Sequence, residues 1–300
     1  MFKIFKNFPE GRAESEKLPT TEVRLEIFRH SKKENDPNLP NSELLLTSKG
    51  RELANKKGLE FSPDMKVAVA GASPMDRAAE TAMLVMGANE DNIGVDDSLS
   101  EMDKKISAEL KVGKKIYRDE RLSFNLDGPI HDEGMAAFKS GRYMEWLAND
   151  SDKQAILKKD EISTTYLRQA GGIAELIKRY EQIGNNFNRL AANKLSEKND
   201  FPDHLERYLA THQAVAECFI AESLAEEIGE TAKERFIGSL GNGWEETEGI
   251  SLRIVNKGKE QSVFLSYPTK DGRSEIVVKP ETIETIIKKR ADFEKAVLES

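Results

Sequence analysis

Two histidines and two arginines in this chain stand where apolar runs give out. The stretch VRLEIFRHSKK, residues 23–33, reads as a strand ending in Arg29-His30-Ser31. KVAVAGAS, residues 66–73, is a second short apolar run, and SPMDRAAETA carries Arg77 into the first turn of the helix that follows. RYLATH, residues 207–212, ends a third run in Thr211-His212. In an open parallel sheet the carboxyl ends of the strands share one edge, and crevices along that edge hold ligands. Two guanidiniums, two imidazoles and open helix N-termini gathered there would make an anion site. A phosphoryl group suits it best, because the planar arginine fork matches phosphate oxygens and keeps its charge at any working pH. A histidine flanked by arginines should have its pKa pushed down, which leaves a neutral imidazole able to attack phosphorus. Positioning and charge neutralisation are most of what phosphoryl transfer requires.

The elements that must hold these residues follow from local signals. LTSKGRELANKKG predicts a helix over about 48–57 with Gly58 just past its end. Ser73, Pro74 and Asp76 read as N-cap, first helical position and capping box of the helix through Met86. The β-α-β-α order within the first 90 or so residues implies parallel strands joined by right-handed crossovers. QAVAECFIAESLAEEIG predicts a helix closed by Gly229, and residues 249–278 read as β-hairpins before a charged helix from Pro280. Residues 104–204 differ in texture: dense in lysine and acids, amphipathic, with few strand-like runs. They predict a mostly helical insertion, or cap, at one edge of the sheet. Residues 1–20 read as a flexible arm, and 21–300 as one α/β domain around the insertion. The predicted fold is a three-layer α/β/α sandwich with a mostly parallel central sheet.

Composition narrows the classes of partner. The 300 residues are 38% hydrophobic and 33% charged, with a net charge of −8 and acids and bases interspersed. No basic stripe suggests nucleic acid, and no apolar run approaches the roughly 18 residues of a membrane span. The N-terminus lacks the uninterrupted apolar stretch of a signal peptide, so the cytoplasm is the expected location. The single cysteine, Cys218, sits among helical apolar neighbours and reads as a core residue. His131-Asp132-Glu133 lacks further ligands at helical spacing and reads as a solvated loop rather than a metal site. GSLGNG, residues 238–243, lacks the Lys-Ser/Thr of a phosphate loop and reads as a flexible connection.

Arg29-His30-Ser31, LTSKGRELA, SPMDRAAETA and ATHQAVAE, in that order, resemble the signature of the histidine phosphatase superfamily, the phosphoglycerate-mutase-like proteins. The resemblance covers about residues 22–103 and 205–270. It implies a phosphomonoester hydrolase that works through a phosphohistidine on His30, with Arg29, Arg77 and His212 binding the transferred group. It implies neither metal nor cofactor, and a small-molecule phosphate ester or a phosphoprotein as substrate. Leu99-Ser100-Glu101 matches the family's Leu-x-Glu element, so Glu101 is the implied proton donor, with a raised pKa, and Asp103 the runner-up. Gln213 stands where other members have an aspartate, which favours Glu101. Ser31 replaces the usual glycine and would sit beside the phosphate, and Asn38 is the loop residue implied to touch it. A phosphoglycerate-mutase-type transferase shares the chemistry, and a non-catalytic phosphate-binding scaffold shares the fold.

Overall fold

The computed structural model describes residues 19–64, 66–87, 96–110, 116–196, 201–258 and 260–300. The arm expected at the N-terminus lies outside the described residues as far as residue 18, as does the side chain of Asp103.

The chain begins with strand β1 (Thr20–Arg29), helix α1 (Ser48–Phe61), strand β2 (Ala68–Ala72) and helix α2 (Asp76–Met86). Helix α3 (Leu99–Leu110) then leads to a short strand β3 (Ile116–Arg118). The helical part that follows contains α4 (His131–Lys139), α5 (Tyr143–Trp146), α6 (Asp152–Lys158) and the long α7 (Tyr166–Ser196). Strand β4 (His204–Thr211) and helices α8 (Val215–Glu227) and α9 (Glu230–Gly238) return the chain to the sheet. Strands β5 (Gly249–Lys257), β6 (Glu260–Thr269) and β7 (Gly272–Val278) and helix α10 (Pro280–Glu299) complete it.

The seven strands are ordered β3-β2-β4-β1-β5-β6-β7. The first four in that order pair in parallel, and β5, β6 and β7 join as antiparallel neighbours. The mixture follows from the connections: helical crossovers separate β1 to β4, whereas tight turns link β5, β6 and β7 and force reversal. Alternation along β1 sends Val23, Leu25 and Ile27 to one face, where they join a core that includes residues of α7 and α8, while Phe28 faces a second core with α2. Helices on both faces make this an α/β sandwich, as the sequence predicts, with a mostly helical segment between β3 and β4. Cys218 is fully buried in the first core.

Three local expectations are corrected. Helix α1 runs through Gly58 and ends at Phe61, with Ser62 in the left-handed region at φ 51°. Residues 116–118, inside the stretch expected to be helical, pair with β2 as an edge strand. Helix α2 begins at Asp76 with no side-chain cap. The Ser73 hydroxyl does receive the Met75 N–H at 3.4 Å, but its short contact is with His212, at 2.7 Å. A hydroxyl beside a buried imidazole finds a better partner there than at the helix end.

The segment after the first motif is fixed by LTSKG. Thr47 caps α1, its hydroxyl accepting the Gly50 N–H at 3.0 Å. Its own N–H donates to the Lys32 carbonyl at 2.9 Å. A Cβ on Gly50 would lie 2.2 Å from that carbonyl oxygen, so glycine is what allows the chain just past His30 to rest on the helix. Among the described residues, no helix is long and apolar enough to cross a membrane.

Candidate active site

Sheet register brings the two histidines together. Arg29 is paired with Thr211 across the parallel β1 and β4, and the His30 N–H donates to the Thr211 carbonyl at 2.8 Å. The residue following each strand is therefore a histidine on the same edge, and the rings of His30 and His212 lie edge to face with centroids 5.0 Å apart. Both side chains are buried.

His30 is held in one tautomer. Its Nδ1 lies 2.7 Å from the Ser31 carbonyl, which can only accept, so Nδ1 carries the proton. Nε2 keeps its lone pair and accepts from Arg77 Nε at 3.1 Å. Burial, and then the Arg77 charge, pull the His30 pKa down to about 3, so the ring is neutral at ordinary pH. His212 is lowered in the same direction by burial, with His30 and Arg77 adding to it. Burial also lowers Arg77, to about 10, which leaves it charged at neutral pH.

Each arginine is pinned by a backbone carbonyl. Arg77 Nη1 donates to Asn41 at 2.5 Å, and Arg29 Nη1 donates to Trp244 at 2.5 Å. The loop bearing Trp244 is tied to the fully buried Glu217, whose carboxylate accepts the Trp244 N–H at 2.9 Å and is pushed up by burial. One turn beyond Arg77, buried Glu80 accepts the Leu46 N–H at 2.7 Å and pairs with Arg51, which anchors the loop that carries Asn41. Arg118, at the end of β3, donates to the Ser73 and Met75 carbonyls and pairs with Asp76, bracing the turn that delivers Arg77. Of the groups just past β1, two polar atoms remain over: Arg29 Nε and Ser31 Oγ are buried and have no hydrogen-bond partner among the described residues. Such atoms are costly in an empty site and are natural donors to an anion.

These groups form the floor of a cavity of about 820 Å³. Its opposite wall comes from the segment after β3 and from α4 and α5: Phe124, Leu126, Met135, Phe138 and Tyr143. Lys32 and Lys33 lie on the floor side, the latter bonded to Asn41 Oδ1 at 3.0 Å.

Of the predicted residues, Arg29, His30, Ser31, Arg77 and His212 all line this cavity. Glu101 and Asn38 do not. Glu101 is solvent-exposed near the start of α3, where its carboxylate accepts the Ser98 hydroxyl at 2.6 Å and the Ser98 N–H at 2.8 Å. Those bonds lower its pKa, the reverse of the raised value expected, because it caps its own helix in water. Asn38 is exposed in a turn and donates to Asp36. The cavity's carboxylates are Asp127 and Glu246, and its loop residue on Arg77 is Asn41. Sequence reasoning missed these because they sit in loops without periodicity. Glu80 was within reach, one helical turn after Arg77 in DRAAET. His131, read as part of a loop, opens α4 and lines the cavity, with Nδ1 2.8 Å from the Leu126 carbonyl. Among the described residues no group of side chains is arranged to hold a metal ion.

The family model of the histidine phosphatase superfamily (branch 1) matches residues 26–122, the segment that carries Arg29, His30 and Arg77, and the resemblance drawn from the motifs holds there. Comparison with curated proteins gives no match. Among solved structures, phosphoglycerate mutase from Bacillus anthracis str. Sterne is 17% identical, over 91% of this chain and 99% of that one, with a TM-score of 0.45. Mycobacterial glucosyl-3-phosphoglycerate phosphatase is 14% identical, over 79% and 90%, with a TM-score of 0.43. Phosphoglycerate mutase from Plasmodium falciparum is 13% identical, over 88% and 92%, with a TM-score of 0.32.

Proposed function

With a histidine phosphatase segment at residues 26–122 as premise, we propose that the chain is a phosphomonoester hydrolase working through a phosphohistidine on His30. The observation that carries this reading is the state of His30: neutral, Nδ1–H fixed on the Ser31 carbonyl, and Nε2 turned towards Arg77 in the cavity floor. A phosphate ester seated there takes over the Arg77 Nε–H and draws on Arg29 Nε and Ser31 Oγ, the unpartnered donors of the floor. His212, kept neutral and held by Ser73, completes the cradle.

Nε2 attacks phosphorus in line, and the N–P bond forms as the bond to the ester oxygen breaks. That oxygen needs a proton. We assign Glu246 to deliver it, since it lines the cavity in the loop whose Trp244 carbonyl holds Arg29 and whose Thr247 N–H donates to the Arg29 carbonyl at 3.1 Å. Water then attacks phosphorus, the P–N bond breaks, and the proton shed by water returns to the Glu246 carboxylate. Two arginines supply the charge that neutralises the equatorial oxygens.

Water is the favoured acceptor over a second substrate oxygen. A mutase must retain a doubly anionic intermediate, which needs cations at both ends of its site. Here the cavity's arginines and lysines, Arg29, Lys32, Lys33 and Arg77, belong to the floor, and among the described residues the facing wall sets Ser123, Asn125, Asp127 and His131 among its aromatic and apolar side chains but no arginine or lysine. The test is rapid quenching after mixing with 4-nitrophenyl phosphate. Wild type should yield an acid-labile, alkali-stable phosphoenzyme and His30→Ala none, with hydrolysis reduced by at least about 10³-fold. Wild type with neither turnover nor phosphoenzyme would leave a phosphate-binding scaffold.

A further inference from the structure

The wall of the cavity bears on which esters enter. From His212 outwards runs a file of rings: Phe124 lies 6.1 Å from the imidazole, Tyr143 lies 6.4 Å from Phe124, and Phe138 lies 5.9 Å from Tyr143. The last two contacts are edge to face, the geometry aromatic pairs prefer. Phe138 is 40% exposed although it lines the cavity, so its ring is left without a full set of neighbours.

Several polar atoms around the same wall are engaged by the protein itself. Asn125 Oδ1 accepts the Asp127 N–H at 2.8 Å, His131 Nδ1 is on the Leu126 carbonyl, and Gln213 Nε2 donates to the Asn242 carbonyl at 2.5 Å. Tyr143 differs. It is 2% exposed and lines the cavity, yet its hydroxyl has no hydrogen-bond partner among the described residues. Burial raises its pKa, so it stays protonated and offers one donor. A buried hydroxyl without a partner is the kind of group that a ligand atom satisfies.

We infer that the ester hydrolysed on His30 has an aromatic alcohol portion bearing a hydrogen-bond acceptor, with Phe124 and Phe138 packing against the ring and the Tyr143 hydroxyl donating to the acceptor. This rests on the hydrolase reading for its chemistry, but the wall can be probed without turnover. The phosphate end is fixed by the floor, so specificity lies in how the remaining cavity volume is filled.

The experiment uses benzyl phosphate, its ring isomers carrying one acetyl group, and glycerol 3-phosphate. All are esters of alcohols of comparable acidity, so leaving-group chemistry does not set the ranking. Benzyl phosphate should exceed glycerol 3-phosphate in kcat/KM by roughly tenfold or more, the scale expected for burying a phenyl ring. Phe138→Ala, at an exposed position that folding can spare, should bring that ratio down to within about threefold of unity. Tyr143→Phe should erase the advantage of the best acetyl isomer over benzyl phosphate by about five- to tenfold. In parallel, calorimetry should show benzylphosphonate binding roughly tenfold more tightly than methylphosphonate. Equal binding of the two phosphonates, or a benzyl-to-glycerol ratio untouched by Phe138→Ala, overturns the inference while leaving the hydrolase reading intact. Tight benzylphosphonate binding with no phosphoenzyme from any ester would sink the hydrolase reading and keep the aromatic site.

Discussion

The floor of the cavity is made of residues one step past strand ends, whereas the wall is made of side chains from a loop and two short helices. On the floor, position is set by sheet register and by backbone carbonyls: Ser31 for His30, Asn41 for Arg77, Trp244 for Arg29. On the wall, position comes from ring-on-ring packing, and its outermost ring, Phe138, is partly in solvent. Floor groups face competing carbonyl and imidazole partners at fixed distances, so a small displacement changes their chemistry. Wall groups bury apolar area, which varies smoothly with position. One cavity thus joins a floor fixed by register and backbone carbonyls to a wall held by ring packing.

The sharpest blow to the floor is Arg77→Ala. It removes the donor to His30 Nε2 and a guanidinium from the phosphate cradle, and kcat/KM should fall by about 10³-fold in steady-state assays. A matching truncation on the wall should never approach that figure. Next in size is Glu246→Gln, which should slow glycerol 3-phosphate hydrolysis by about 10²-fold and 4-nitrophenyl phosphate by only a few fold, because a nitrophenolate leaves without a proton. An equal loss on both esters would remove Glu246 as the donor.

The pH dependence separates floor from wall in another way. The His30 pKa is about 3 in the folded protein, against about 6.5 for a free imidazole. Between those values the unfolded chain binds a proton that the folded site refuses, so His30 lowers stability as pH falls through that window. The slope is at most about 1.4 kcal/mol per pH unit. NMR of the ring protons should show no His30 titration near pH 6.5, and the phosphorylation burst should hold its rate across it. Denaturant titrations should show wild type losing stability relative to His30→Asn between pH 7 and pH 5. Smallest is Glu101→Gln: with its carboxylate in solvent on Ser98, it should change kcat/KM by less than about twofold. A loss of 10²-fold or more would restore it to the mechanism.

Much of the fold was legible because the signals were local. The apolar run of β1, the small-residue helix α2 after SPMD, and the turn residues of the β5–β7 hairpins each depend on near neighbours. β3 was not, because three residues at a sheet edge carry no periodicity and become a strand only by pairing with β2. The floor was legible for the same reason that β1 and β4 were: a polar residue after an apolar run must emerge at the sheet edge. Glu101 shows where that stops. Leu-x-Glu looks the same in a sequence whether the carboxylate faces a cavity or caps its own helix, and here the Ser98 hydroxyl and N–H take it.

By itself, then, the sequence determined that Arg29, His30 and His212 stand at the ends of apolar runs, so that strands would carry them to a common edge. Only the tertiary structure decided the His30 tautomer, the carboxylates that share the cavity, and the ring wall of Phe124, Tyr143 and Phe138. Periodicity and motif spacing reflect contacts a few residues away, whereas a proton's position and a cavity's lining depend on groups that meet only after residues 123–143 and 242–247 have closed over the strand ends.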